Sequence, residues 1–313
     1  MNSTLDKKNY TKEDLLKLYN LPLDELLNES SKYMSNNIEF CSLINARNGK
    51  CSQNCKYCAQ SSHYCTNIES YPLVEVEEVI KTAQEAKGNH VSRFAIVTSG
   101  RTPDEGRDFA IELEMIKKIN EQGLNSCASI GILNEEQAKQ LADAGLKRFH
   151  HNINTCRSYY PEVCTTHTFE DRINTCKLVK KYGMELCCGV ILGMGESVEQ
   201  RIEMAMELAE IEPDSIPINI LMPIPETPFE NYHDKIDEEN VLRTIAVFKI
   251  ANPKSVVRFC GGRMRLSEEN QRRALKTCVE GVMVGNYLTT IGKAPQEDIQ
   301  TAKELGKNIV TTV

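Results

Sequence analysis

The most legible chemistry lies in the run Cys51-Ser-Gln-Asn-Cys55-Lys-Tyr57-Cys58, three cysteines at spacings of four and three. Thiolate is a soft ligand, and three on one short loop suit iron or an iron–sulfur cluster. Three protein ligands on a four-iron cluster leave one iron open, and an open position is where metal chemistry takes place. Tyr57 stands directly before the last cysteine, where its ring can cover whatever binds that iron. A structural zinc site wants four closed ligands, usually from two Cys-x2-Cys pairs, and no second pair follows at that spacing. A bacterial ferredoxin run would be Cys-x2-Cys-x2-Cys, which differs from this one.

Further polar residues fall on apolar, β-rich runs, where burial without a partner is costly. Cys127, the pair Cys187 and Cys188, and Arg258 with Cys260 lie on the third, fifth and seventh such runs. Side chains alternate faces along a strand, so Arg258 and Cys260 share a face while Cys187 and Cys188 point oppositely. His150, Asn152 and Asn154 share a face of the fourth run, and Asn219 sits in the sixth. Any one cysteine alone reads as a small buried hydrophobe. Alternate strands of an eight-stranded barrel meet in one layer, however, so together they suggest a second metal cluster.

The elements that must hold these groups alternate regularly. Residues 12–19 and 23–33 read as two short helices split by Pro22, an extension covering 1–36. Candidate strands follow at 40–45, 93–99, 126–130, 148–153, 185–192, 215–221, 256–260 and 281–286. Helical patterns lie between them, with Val76, Val79, Ile80 and Ala83 on one apolar face and Ile202, Ala205, Met206 and Ala209 on another. Gly123, Gly145 and Gly183 stand where left-handed C-caps belong. Eight strand–helix alternations without a linker predict an α/β fold, a (β/α)8 TIM barrel over 37–313, with a doubly wound open sheet as the runner-up. The cysteine loop then follows strand one, on the C-terminal rim where barrel enzymes carry their chemistry.

A net charge of −7 over 313 residues argues against a nucleic-acid surface. No apolar run reaches the length of a membrane span, and the N-terminus lacks the apolar segment of a secretory signal, so the expected location is cytoplasmic. Disulfides are rare there, which leaves metal ligation as the leading use for some of the 13 cysteines.

The Cys-x3-Cys-x2-Cys loop resembles that of the radical S-adenosylmethionine (radical SAM) enzymes, and nearly the whole chain resembles biotin synthase. The resemblance is carried by 45–62 (Asn-Ala-Arg-Asn-Gly-Lys-Cys-Ser-Gln-Asn-Cys-Lys-Tyr-Cys-Ala-Gln-Ser-Ser) and by His150-His-Asn-Ile-Asn-Thr. Gly189-Val-Ile-Leu-Gly-Met-Gly-Glu, Ile216-Pro-Ile-Asn, Val257-Arg-Phe-Cys-Gly-Gly-Arg and Leu288-Thr-Thr follow in the family order. This implies that Cys51, Cys55 and Cys58 hold a [4Fe-4S] cluster whose open iron chelates S-adenosylmethionine. An electron from flavodoxin or ferredoxin cleaves that cofactor, and the resulting 5′-deoxyadenosyl radical takes hydrogen from dethiobiotin. A sulfide of an auxiliary cluster then supplies the sulfur. Cofactor contacts are implied for Tyr57, Asn152, Asn154, Arg172 and Ile191, with Arg172 pairing the carboxylate. Substrate contacts are implied for Asn152, Asn219, Thr289 and Thr290. The family also tends to form homodimers.

The auxiliary site departs from the family pattern. A [2Fe-2S] site of three cysteines and one arginine would place a cysteine on strand two, where Ala95 stands, while Cys127, Cys187 and Arg258 match. Cys188 and Cys260 are extra. Four thiolates, Cys127, Cys187, Cys188 and Cys260, favour a four-iron cluster. Parity turns Cys188 away unless a bulge intervenes; three thiolates with an exogenous sulfide on the fourth iron are the variant in that case. Another radical SAM barrel enzyme, or a non-catalytic iron–sulfur electron carrier, are the alternative functions.

Overall fold

The computed structural model describes residues 10–103, 106–285 and 292–311. Its strands are β1 (Asn37–Arg47), β2 (Arg93–Thr98), β3 (Asn125–Ser129), β4 (Arg148–His150), β5 (Glu185–Cys187), β6 (Val190–Leu192), β7 (Ser215–Ile220), β8 (Val256–Phe259), β9 (Gly281–Met283) and β10 (Asn308–Val310). All pairings are parallel, in the order β1-β2-β3-β4-β5-β7-β8-β9, and β1 pairs with β9 to close the barrel. The open-sheet alternative is thereby excluded. β10 lies outside the ring, alongside the first residues of β1.

The helices are α1 (Lys12–Tyr19), α2 (Leu23–Ser31), α3 (Val76–Gly88), α4 (Arg107–Glu121), α5 (Glu135–Asp143), α6 (Tyr160–Val163), α7 (Phe169–Lys181), α8 (Val198–Ile211), α9 (Glu238–Ala251), α10 (Glu268–Thr277) and α11 (Pro295–Glu304). Their starts are written locally. Thr11, Asn134, Thr168 and Ser197 each form a capping box with Asp14, Gln137, Asp171 and Gln200. Gly123, Gly145 and Gly183 take φ of +74°, +85° and +72° after their helices. The apolar faces pack on the sheet through residues such as Val79, Ala83, Ile202 and Ala205, all buried. α1 and α2 lie against the barrel's helical shell, where Leu15, Leu26 and Leu27 are buried and Tyr19 Oη donates to Asn240 Oδ1 at 2.6 Å.

Two expected strands are broken. The run 185–192 divides into β5 and β6 because Pro217, opposite the break, has no N–H for the ladder. Gly189 approaches so closely there that a Cβ would lie 2.0 Å from the Pro217 carbonyl oxygen. The run 148–153 stops at His150, and Asn154 takes φ +67° before rejoining Val190 through one isolated bridge. Asn152 and Asn154 therefore do not share one face of a regular strand.

Candidate metal centres and substrate cavity

The cysteine loop leaves the C-terminal end of β1 and is held by its own backbone. The Cys51 N–H donates to the Gln60 carbonyl at 2.9 Å, the Ser62 N–H to the Cys51 carbonyl at 2.8 Å, and the Cys58 N–H to the Cys55 carbonyl at 3.0 Å. Asn54 Oδ1 accepts from the N–H groups of Thr165 and Thr166 at 3.0 and 3.2 Å, which ties the loop to the segment before α7. Cys55 is buried, and Cys51 and Cys58 are half-buried.

A single ion with thiolate bonds of about 2.3 Å needs its ligand atoms within about 4.6 Å of one another. Among the described residues the one group of three such atoms within 4.8 Å is Cys55, Cys164 and His167. Neither that set nor the loop fits a mononuclear site. His167 Nε2 accepts from Arg172 at 2.8 Å, so the proton of the neutral ring sits on Nδ1, directed at Gln53 Oε1 and Cys164 Sγ at 2.9 and 3.2 Å. The ring is a donor there. The hydrogen bond from Cys55 across 3.7 Å pushes the Cys164 thiol down to about 3 and the Cys55 thiol up. The loop's own three thiols spread wider than one ion spans, as a multi-iron cluster requires.

Arg172 is half-buried beside this loop, on the first turn of α7 that the Thr168 cap anchors. Its Nε donates to Tyr160 Oη at 3.2 Å. A cavity runs from Tyr57 on the loop down into the barrel, with Asn152, Ile191, Asn219, Cys187 and Cys260 on its wall. The Asn219 amide is oriented by backbone at both ends: Oδ1 accepts from Gly261 N–H at 3.0 Å and Nδ2 donates to the Val190 carbonyl at 3.2 Å. Asn152 Oδ1 accepts from Gly189 N–H at 3.0 Å. Asn154 is buried and set back at the β6 bridge. Thr289 and Thr290 lie outside the described residues.

Deeper in the barrel the thiols of Cys127, Cys187 and Cys260 gather around one that the sequence reading did not place, Cys41 on β1. Burial raises all three, and the proximity of Cys41 raises each further. Parity along 40–45 carries the signal that finds it, since Cys41 and Leu43 share the interior face. Ala95 is buried on β2, in register with Leu43 and Cys127, so no cysteine stands there. Cys188 is a correction. The break after β5 does not turn it inward; its Sγ lies 4.0 Å from Cys176 Sγ on α7, inside the layer between sheet and helices. Four thiols still converge, with Cys41 in place of Cys188.

Arg258, also in the expected ligand set, is held by hydrogen bonds. Its Nε donates to Ser215 Oγ at 2.6 Å, Nη1 to Cys41 Sγ at 3.0 Å and Nη2 to Glu39 Oε1, so every nitrogen is engaged. Glu39 also accepts from Arg93 Nε at 2.6 Å and from Arg148 Nη1 at 2.9 Å, and Glu185 bridges the same two arginines. These neighbouring guanidiniums hold the Glu39 carboxyl well below its usual range against the opposing effect of burial. Burial first, then the same arginines, holds His150 down to about 3, so it faces the cavity as a neutral ring. Arg93 Nη1 is buried with no partner among the described groups. Three guanidiniums, two carboxylates and an orphaned donor beneath four thiols fit an anionic iron–sulfur cluster.

The Radical SAM superfamily is matched over residues 47–209, and the Biotin and Thiamin Synthesis associated domain over 217–308. A protein of Acetivibrio thermocellus named biotin synthase is 46% identical over 279 residues, 89% of this chain and 86% of its own length. One of Pelotomaculum thermopropionicum, with the same name, is 41% identical over 308 residues, covering 96% of this chain and 95% of its own. In fold, the crystal structure of methylornithine synthase superposes with a TM-score of 0.83 at 18% identity, over 97% of this chain and 96% of that one.

Proposed function

The chain belongs to the biotin synthase family of radical SAM enzymes, and from that premise we propose how its own residues serve sulfur insertion into dethiobiotin. When bound, the loop cluster supplies the electron that cleaves S-adenosylmethionine to a carbon radical, and the inner cluster supplies the sulfur. Cys51, Cys55 and Cys58 would hold the first. Tyr57, Asn152, Asn154, Arg172 and Ile191 bind S-adenosylmethionine. Arg172 can present a guanidinium edge to its carboxylate, a task suited to a planar fork of donors. Asn152 and Asn219 orient the ureido ring, since each amide is already fixed by one or two backbone partners and keeps further donor or acceptor capacity. Thr289 and Thr290 receive the substrate carboxylate.

The observation that carries this reading is the cavity that runs from Tyr57 of the loop to Cys187 and Cys260, two of the four inner thiols. A substrate in it would lie between Tyr57 on the loop side and Cys187 and Cys260 on the inner side, while the barrel excludes water from a radical. Cys41, Cys127, Cys187 and Cys260 are assigned to an auxiliary four-iron cluster, one thiolate to each iron. The same reading includes a flavodoxin or ferredoxin donor, a homodimer and a cytoplasmic setting; no helix among the described residues is long and apolar enough to cross a membrane. Anaerobically isolated protein given dithionite, S-adenosylmethionine and dethiobiotin should form biotin. Mössbauer spectra should show four-iron clusters only. Cleavage of S-adenosylmethionine without biotin would point to another radical SAM activity, and a [2Fe-2S] signature would overturn the assigned nuclearity.

A further inference from the structure

We infer that Glu39 is a positioning residue of the sulfur-donor centre, holding Arg258 beneath the four thiols as a fixed cation and hydrogen-bond donor instead of a cluster ligand. The inference rests on the assignment of Cys41, Cys127, Cys187 and Cys260 to that centre.

Glu39 and Cys41 are two apart on β1 and so face the interior at successive levels. The same spacing separates Arg148 from His150 on β4, Glu185 from Cys187 on β5, and Arg258 from Cys260 beyond β8. Each charged residue thus stands one level below an interior-facing group, of which His150, Cys187 and Cys260 line the cavity. A floor of alternating charge lies under a ring of thiols, and Glu39 is its centre, accepting from Arg93, Arg148 and Arg258 together.

Two consequences follow from charge and geometry. Three guanidiniums against the carboxylates of Glu39 and Glu185 leave the floor one positive charge in excess, under a centre that four thiolates make anionic. Arg258 reaches Cys41 Sγ with Nη1 at 3.0 Å while Glu39 and Ser215 occupy its other two nitrogens. Ligation through any of them would break a hydrogen bond inside the barrel, and breaking a buried charged pair is costly. Arg93 Nη1, buried and without a partner among the described groups, is a second donor available to the same centre.

Glu39→Gln, Arg258→Leu and Arg258→Lys, isolated anaerobically as full-length protein, test this. Iron and sulfide per chain and the Mössbauer nuclearity should match wild type in all three, because no ligand is removed. The midpoint potential of the inner cluster should rise in E39Q, which deletes a negative charge beneath it. It should fall in R258L and return toward wild type in R258K, while the loop cluster's potential stays fixed in each. Loss of iron or a changed iron site in R258L would show Arg258 to be a ligand and overturn the inference. So would equal potentials in R258L and R258K, or an unmoved potential in E39Q, which would leave Glu39 as a brace of the barrel alone. The Arg258 pair carries the comparison even if E39Q does not accumulate. Absence of a second cluster from wild type would instead sink the four-thiol assignment.

Discussion

Cys187 looks into the barrel and Cys188 looks out, although they are adjacent in the chain, and their substitution should separate cleanly. Cys187→Ala is expected to lose the iron of the inner centre and to abolish biotin formation. Cys188→Ala should keep both clusters and activity, with a stability loss of about 1 kcal/mol for the small cavity left beside Cys176. Equal iron loss in both variants would contradict the outward placement. Cys41→Ser should behave like Cys187→Ala for the inner centre, while S-adenosylmethionine cleavage at the loop persists; iron analysis and 5′-deoxyadenosine release check the two halves separately. At this scale parity was legible for Cys187, Arg258 and Cys260, and it pointed Cys188 outward, against its place in the expected ligand set and in agreement with its contact with Cys176. It did not tell which strands' interior residues meet at one height, because that depends on the stagger of the whole barrel. Parity puts Cys41 on the interior face, but whether it joins the inner centre stayed open for this reason.

Among the elements, the break between β5 and β6 is enforced by contact. Gly189→Ala would put a methyl group against the Pro217 backbone and should cost on the order of 3 kcal/mol, read as a lowered denaturation midpoint. The break's signal on its own strand was the interior glycine, Gly189, but its meaning depends on Pro217 in the strand across from it. On α8 the relevant variable is pH. Burial, with Glu203 alongside, raises Glu207 to about 7 in the folded protein, above the ordinary carboxylate value. A raised carboxyl binds its proton more tightly when folded, so its contribution to stability is fully present below the unfolded value and is lost as pH rises to about 7. Glu207→Gln should therefore raise Tm at pH 8 and leave it nearly unchanged at pH 4; the opposite ordering would show that folding lowers the Glu207 carboxyl instead of raising it. Helix starts, by contrast, were local matters, settled by caps such as Thr168 with Asp171.

For the whole molecule, the proposed division after residue 36 is open to a direct test. A chain beginning at residue 37 uncovers the surfaces on which Leu15, Tyr19, Leu26 and Leu27 are buried, and its Tm should drop by on the order of 10 °C. An unchanged Tm would make α1 and α2 an ornament of the barrel. The eight strand–helix units were readable from alternation, because strand length, helix caps and the glycines after the helices are written within a few residues, while closure of the ring over an open sheet was decided by the pairing of β1 with β9. The cysteine loop was readable for the same reason: Cys51, Cys55 and Cys58 are held near one another by the short chain between them. The inner centre brings together residues more than 200 positions apart, from Cys41 to Cys260. Their meeting, the turning away of Cys188 and the capture of Arg258 by Glu39 were decided only when the barrel closed and set the strands in register, since no local rule fixes the height at which distant strands align.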